Sequence, residues 1–155
     1  MDQPEPVILV IDDSAVAREI ILDALRQAGL AATLRTAANG REALDLMKTE
    51  DVDLVLCDLE MPGIDGLGFL DRVNASDAWR EIPVIILTGH GTDQDEAEAR
   101  ALGGFDFLRK PAEIDLLVRK IKEAFAEKIE RIMSAIAFAE GGDLEDAKKI
   151  LKKEE

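Results

Sequence analysis

Five residues that can handle a phosphoryl group stand at the ends of four short apolar runs. Val7 to Ile11 leads into Asp12 and Asp13, Leu54 to Cys57 into Asp58, Val84 to Leu87 into Thr88, and Phe107-Leu108 into Arg109-Lys110-Pro111. Three carboxylates brought together would repel one another and shift each other's protonation unless a cation lay among them. Hard oxygen donors at a phosphoryl site suit Mg²⁺, which accepts one or two carboxylates plus a phosphate oxygen and keeps several waters. A lysine ammonium aimed into such a hollow can pair with a carboxylate at rest and with a phosphoryl oxygen later. Thr88 is followed by Gly89 and Gly91, whose freedom would let a hydroxyl move toward a new anion. Taken singly, each residue has a plainer role. Asp12 and Asp13 precede Ser14 as helix caps would, Lys110 could be a solvated cation, and Thr88 an ordinary β-branched strand residue. Their common position at strand ends favours a site.

The elements that would position them alternate between two periods. After the first run, Ser14 to Gln27 sets Ala17, Ile20, Ile21, Ala24 and Leu25 at helical spacing. Thr33 to Ala37 reads as a second strand, and Asn39-Gly40 turns into a helix carrying Ala43, Leu44 and Met47. The third strand is Leu54 to Asp58. Met61-Pro62-Gly63-Ile64-Asp65-Gly66 is a loop by its proline and glycines. Helices over about 67 to 74 and 94 to 102 flank the fourth strand, Gly103-Gly104 stops the second of them, and the last strand runs through Phe107. Alternating strands and helices predict a doubly wound parallel sheet, whose strands' carboxyl ends line the ligand crevice.

Charge and composition narrow the function. The 155 residues carry a net charge of -14 with a sequence pI near 4.5, against direct nucleic-acid binding, which relies on Lys and Arg neutralising phosphates. The acidity is uneven: residues 1 to 111 hold 10 basic and 22 acidic side chains, residues 112 to 155 hold 9 and 11. One cysteine excludes an internal disulfide, and Cys57, next to Asp58 in a strand, points to the opposite face as a buried thiol. No secretory leader or run of about 20 apolar residues is present, so a cytoplasmic protein with no membrane partner is expected. Trp79 reads as a packing residue and Arg109 as solvated.

The ordered set Asp12-Asp13, Asp58, Met61-Pro62-Gly63-Ile64-Asp65-Gly66, Thr88-Gly89 and Phe107-Leu108-Arg109-Lys110-Pro111 resembles the receiver domain of two-component response regulators, over roughly residues 6 to 126. The resemblance implies an α/β, CheY-like three-layer sandwich with a five-stranded parallel sheet in the order 2-1-3-4-5. It implies that Asp58 accepts a phosphoryl group from a histidine on a sensor kinase or phosphotransfer protein. It makes Asp13, Asp58 and the backbone carbonyl of Glu60 ligands of Mg²⁺, with Asp12 acting through bound water. Lys110 would neutralise charge on the transferring group, from a cis Lys110-Pro111 peptide. Thr88 and Phe107 would form the switch, Phe107 turning inward as Thr88 moves and so altering the face made by the fourth helix, fifth strand and fifth helix. Glu60 and His90, two residues beyond Asp58 and Thr88, would flank attacking water and tune the lifetime of the phosphoryl group. His90 is the only histidine, so the chain is not expected to be a phosphohistidine donor.

Beyond a receiver domain of residues 1 to 126, an extension of residues 127 to 155 is expected. Its stripe Ile129, Ile132, Met133 and Ile136 continues the last helix, Gly141-Gly142 breaks it, and Asp143 caps a short final helix with Leu144, Ala147, Ile150 and Leu151 on one face. Such a stripe needs cover: a hairpin with the final helix, a second subunit, or a further domain. A hairpin that also forms a homodimer is the favoured arrangement. The rival function is an aspartyl-phosphate phosphohydrolase acting on small phosphomonoesters, with Glu60 as its acid. Against it, the paired acids precede the nucleophile and no cap insertion encloses a substrate.

Overall fold

The computed structural model describes residues 5 to 110 and 114 to 140. Five strands and five helices alternate: β1 (Val7–Ile11), α1 (Ala15–Gln27), β2 (Thr33–Ala37), α2 (Gly40–Met47), β3 (Leu54–Cys57), α3 (Gly66–Ala75), β4 (Val84–Thr88), α4 (Asp93–Ala101), β5 (Asp106–Arg109) and α5 (Ile114–Glu140). The strands form one parallel sheet in the order β2-β1-β3-β4-β5. The expected topology is therefore observed, including β2, the strand with the weakest apolar pattern.

Alternation along each strand divides the core in two. Leu9, Ile11, Val55, Cys57, Val84, Ile86 and Phe107 face one layer, packing with α2, α3 and α4 residues such as Leu44, Phe69 and Ala99. Ile8, Val10, Leu54, Leu56, Ile85, Leu87 and Leu108 face the other, against Leu22, Leu25, Leu117 and Ile121 of α1 and α5. A strand buried on both faces has no polar position to spare, which explains the near-continuous apolar runs. Trp79 and Ile82 pack on the edge of the first layer, as a packing role for Trp79 requires.

On α1 the structure corrects the expected face. Ile21, Ala24 and Leu25 are buried, but Ile20 is 64% exposed and Leu22 takes its place. The buried arc is centred one residue further along the chain, leaving Val16 and Ile20 turned to solvent.

Helix α5 runs without a break across residue 126 for 27 residues, about 40 Å at helical rise. Lys128 pairs with Asp53 (3.1 Å) and Arg131 with Glu81 (3.3 Å), tying the extension to the rim opposite the strands' carboxyl ends. Ile129, Met133 and Ile136 are exposed. The expected final helix and its hairpin lie outside the described residues. Among the described residues, no helix is long and apolar enough to cross a membrane.

Asp106 knits α4, β5 and α5 together. It accepts the Phe107 amide (2.8 Å) and pairs with Lys120 (3.1 Å) and Arg100 (3.4 Å). Burial alone would raise its pKa, but these donors outweigh burial and hold the carboxyl below its ordinary value. A carboxyl with a lower pKa folded than unfolded stabilises the fold above the unfolded pKa, and that contribution is lost as pH falls through the folded pKa. Asp106→Asn is therefore expected to be less stable than the parent chain at pH 7 by about 1 kcal/mol, with the gap closing toward pH 3, read from urea midpoints at both pH values.

Candidate functional site

Parallel topology brings the carboxyl ends of β1, β3, β4 and β5 to one rim, and the residues that follow them meet there. Asp12 follows β1 and donates its amide to the Ala37 carbonyl of the neighbouring strand's end (3.2 Å). Its carboxylate accepts the Ser14 amide (2.9 Å), and Arg18 Nη1 donates to its carbonyl (2.6 Å). Ser14, and neither aspartate, caps α1 by accepting from the Ala17 amide (3.2 Å). A hydroxyl does the capping, and both acids remain available for chemistry.

Asp58 extends β3 by one residue, its amide donating to the Ile11 carbonyl (2.9 Å), while its carboxylate accepts the Leu59 amide (2.8 Å). Helix α3 begins unusually close behind it. A Cβ on Gly66 would stand 2.5 Å from the Asp58 carbonyl oxygen and 2.8 Å from Leu59 Cα, so only glycine lets α3 start there. Asp65 caps that helix through the Gly68 amide (2.8 Å).

Lys110 closes the rim from β5. Its amide donates to the Thr88 carbonyl (2.7 Å), and its Nζ pairs with Asp12 Oδ2 at 2.7 Å. The expected cis peptide to Pro111 lies outside the described residues. Thr88 is buried, and its hydroxyl oxygen accepts the His90 amide (3.3 Å).

Carboxylate oxygens of Asp12, Asp13 and Asp58 all lie within 4.8 Å of one another. Asp12 is buried, Asp58 half-buried and Asp13 exposed. Burial pushes the Asp58 carboxyl above the ordinary carboxylate range; Lys110 opposes the rise, Asp12 adds to it, and the Leu59 amide and Thr88 hydroxyl pull it back. Burial also drives the Cys57 thiol well up, with Asp58 and Asp12 reinforcing it, which leaves the sulfur inert as expected of a buried thiol. The donor set fits a hard divalent cation: three oxygen ligands at coordinating separation, open to solvent on the Asp13 side.

An open hollow of about 760 Å³ lies over this cluster, lined among others by Asp58, Glu60, His90, Asp95 and Lys110. Glu60 and His90 are exposed at its edge. Phe107 is buried in the first core layer, behind Thr88.

Arg109 is exposed, as expected of a solvated side chain, yet it is not idle. It pairs with Asp93 (3.0 Å) and Glu96 (3.1 Å), donates to the Gly91 carbonyl (3.3 Å), and lies 5.4 Å over the Phe107 ring. Apart from the five strand-end residues, Gly66, Gly91, Ser14 and Arg18 also shape the rim. The Asp65-Gly66 pair and Ser14 carry local sequence signals; Arg18 and Gly91 act through contacts that no local pattern announces.

A doubly wound sheet with an acidic triad, a hydroxyl and an ammonium gathered at one rim defines a phosphoryl-handling module. Comparison with known proteins makes the class specific. Residues 8–122 match the family model described as response regulator receiver domain, and the chain belongs to that family. It is 38% identical over 130 residues to protein-glutamate methylesterase/protein-glutamine glutaminase 1 of Syntrophomonas wolfei, covering 81% of this chain and 36% of that protein. It is 35% identical over 120 residues to the DNA-binding transcriptional regulator NtrC of Escherichia coli, covering 77% of this chain and 25% of the regulator. The chain thus spans between a quarter and about a third of these relatives. Chemotaxis protein CheY4 of Vibrio cholerae superposes with a TM-score of 0.70 at 28% identity, over 77% of this chain and 98% of that one.

The acidic cluster gives metal binding a thermodynamic signature. Asp13→Asn is expected to abolish the rise in thermal midpoint that Mg²⁺ gives the parent chain. Calorimetric melting curves with EDTA and with Mg²⁺ check it.

Proposed function

We propose that Asp58 is the phosphoacceptor of a signalling switch. One observation carries this reading: the Asp58 carboxylate sits half-buried among Asp12, Asp13 and a lysine that is already paired with Asp12. An anion in that position has nowhere to spread its charge except toward cationic partners. Asp13 and Asp58, with the Glu60 carbonyl, would hold Mg²⁺ directly and Asp12 through bound water; when bound, the ion neutralises charge on the phosphoryl oxygens. Lys110 supplies the second cation, able to exchange Asp12 for a phosphoryl oxygen.

In the reaction, an Asp58 carboxylate oxygen attacks phosphorus, the bond from phosphorus to the donor imidazole nitrogen breaks, and that nitrogen keeps the electron pair. The chain's contribution is to position and to stabilise charge, as phosphoryl transfer requires. The acyl phosphate then offers acceptor oxygens to Lys110 and the Thr88 hydroxyl. Thr88 moves, and the α4-β5-α5 face changes with it. Glu60 and His90, on the edge of the hollow, set how readily water reaches the phosphoryl group.

Residues 1 to 126 are assigned to this receiver and residues 127 to 155 to its extension. A sensor histidine kinase or phosphotransfer protein is the donor we assign. Its docking patch is Val16 and Ile20, 70% and 64% exposed on α1 beside Asp13. Paired apolar side chains next to a reactive rim suit a protein donor. With a net charge of -14, the chain is read as acting through protein partners in the cytoplasm, with no direct nucleic-acid contact and no catalysis on a second substrate. A second copy of the chain is assigned to the exposed stripe Ile129, Met133 and Ile136. The phosphohydrolase alternative finds no support in the relatives.

Incubation with acetyl phosphate and Mg²⁺ is expected to add one phosphoryl group by intact mass and to shift the oligomeric state in light scattering, with neither change in Asp58→Asn. Sustained turnover of small phosphomonoesters would instead favour the hydrolase. Ile20→Glu is expected to slow transfer from a phosphohistidine protein at least tenfold, about 1.4 kcal/mol, while the acetyl phosphate rate stays unchanged; parallel radiolabel time courses separate the two.

A further inference from the structure

The Phe107 ring has a seat made by an absence. A Cβ built on Gly91 would fall 2.8 Å from Phe107 Cε1 and 2.8 Å from Thr88 Cγ2, and closer still to Phe107 Cζ. Any side chain at 91 would therefore collide with both proposed switch residues at once. Above the ring lies the Arg109 guanidinium, 5.4 Å from its centroid. The same guanidinium donates to the Gly91 carbonyl (3.3 Å) and pairs with Asp93 (3.0 Å) and Glu96 (3.1 Å) in the first turn of α4. Asp93 is fully exposed, and its pair alone would contribute little. A planar fork holding three acceptors while covering a ring is a different matter, because one ordered side chain then serves several contacts. Gly91 leaves the space, and Arg109 draws Gly91 and the start of α4 over it.

We propose that Gly91 and Arg109 are positioning residues that hold Phe107 inward. This rests on reading Asp58 as the acceptor and Thr88 as the residue that moves toward it. The consequence concerns affinity. A ligand that needs a minor conformer binds more weakly by the fraction of that conformer. A ring seated by Gly91 and clamped by Arg109 leaves a phosphoryl group only Thr88 and the loop from 89 to 92 to move. Substituting Gly91 reverses that advantage, because the ring must leave its seat.

The test uses the full chain labelled with 4-fluorophenylalanine, the Phe107 resonance being assigned by its loss in Phe107→Leu. Protection from a soluble paramagnetic agent reports whether the ring is inward. Beryllofluoride with Mg²⁺ is the phosphoryl mimic, titrated by calorimetry. In the parent chain the ring is expected to be protected both before and after the mimic. In Gly91→Ala it becomes accessible, and the mimic binds about tenfold more weakly, the result for a competent state reduced to a tenth. Arg109→Gln shifts both readouts in the same direction by a smaller factor, and it decides alone if circular dichroism shows that Gly91→Ala does not fold. A parent ring that is accessible until the mimic binds overturns the proposal. So does a ring that stays protected, at unchanged affinity, in the folded variants. If the mimic fails to bind the parent chain, the acceptor reading of Asp58 falls, while ring protection in the unliganded variants still decides the roles of Gly91 and Arg109.

Discussion

Like charge held at short range, against its own repulsion, is the constraint on which the rest of this molecule depends. Carboxylate oxygens from Asp12, Asp13 and Asp58 crowd within 4.8 Å, eased by Lys110 on Asp12 at 2.7 Å and by the Ser14 and Leu59 amides. The fold can sustain this because the carboxylates ride on central strands buried on both faces. Moving one aspartate away would mean breaking the β1–β3 register that pairs Ile11 with Cys57. The core thereby holds three carboxylates close together, a state that a divalent cation would relieve and that a phosphoryl group would load with further negative charge.

The same packing would carry a small event at the rim elsewhere. Thr88 ends β4 and borders the cluster, while its methyl group shares space with Phe107 and Gly91. Phe107 belongs to β5, and Asp106 beside it connects to Arg100 on α4 and Lys120 on α5. A shift at Thr88 meets close-packed neighbours in every direction, and tightly packed interiors transmit strain and do not absorb it.

Much of this was legible in the amino-acid order, and the division has physical reasons. The strands were readable because a doubly covered sheet demands unbroken apolar runs, and the acids because each follows such a run directly. Asp106–Arg109 and the long last helix were also within reach. The exact buried arc of α1 was not, since Val16, Ile20 and Leu22 are equally apolar and only three-dimensional packing chooses Leu22. The contacts that exposed Arg109 makes are hidden for a related reason. Its partners Asp93 and Glu96 lie 13 to 16 residues away in the chain, joined by topology and not by helical spacing. Gly91 is the sharpest case: a glycine in a loop reads as freedom, whereas here it marks the outline of an aromatic ring.

Helix α5 finally deserves to be seen as a strut. Lys120 fastens it to β5 through Asp106, and one face of its far half is fastened again by Lys128 to Asp53, whose second oxygen holds the Val7 amide (2.7 Å) at the start of β1. A rod pinned at two places moves with the slab it is pinned to. A shift of β5 would therefore be carried along α5 to the turn that holds Lys128, at the rim opposite the acidic cluster.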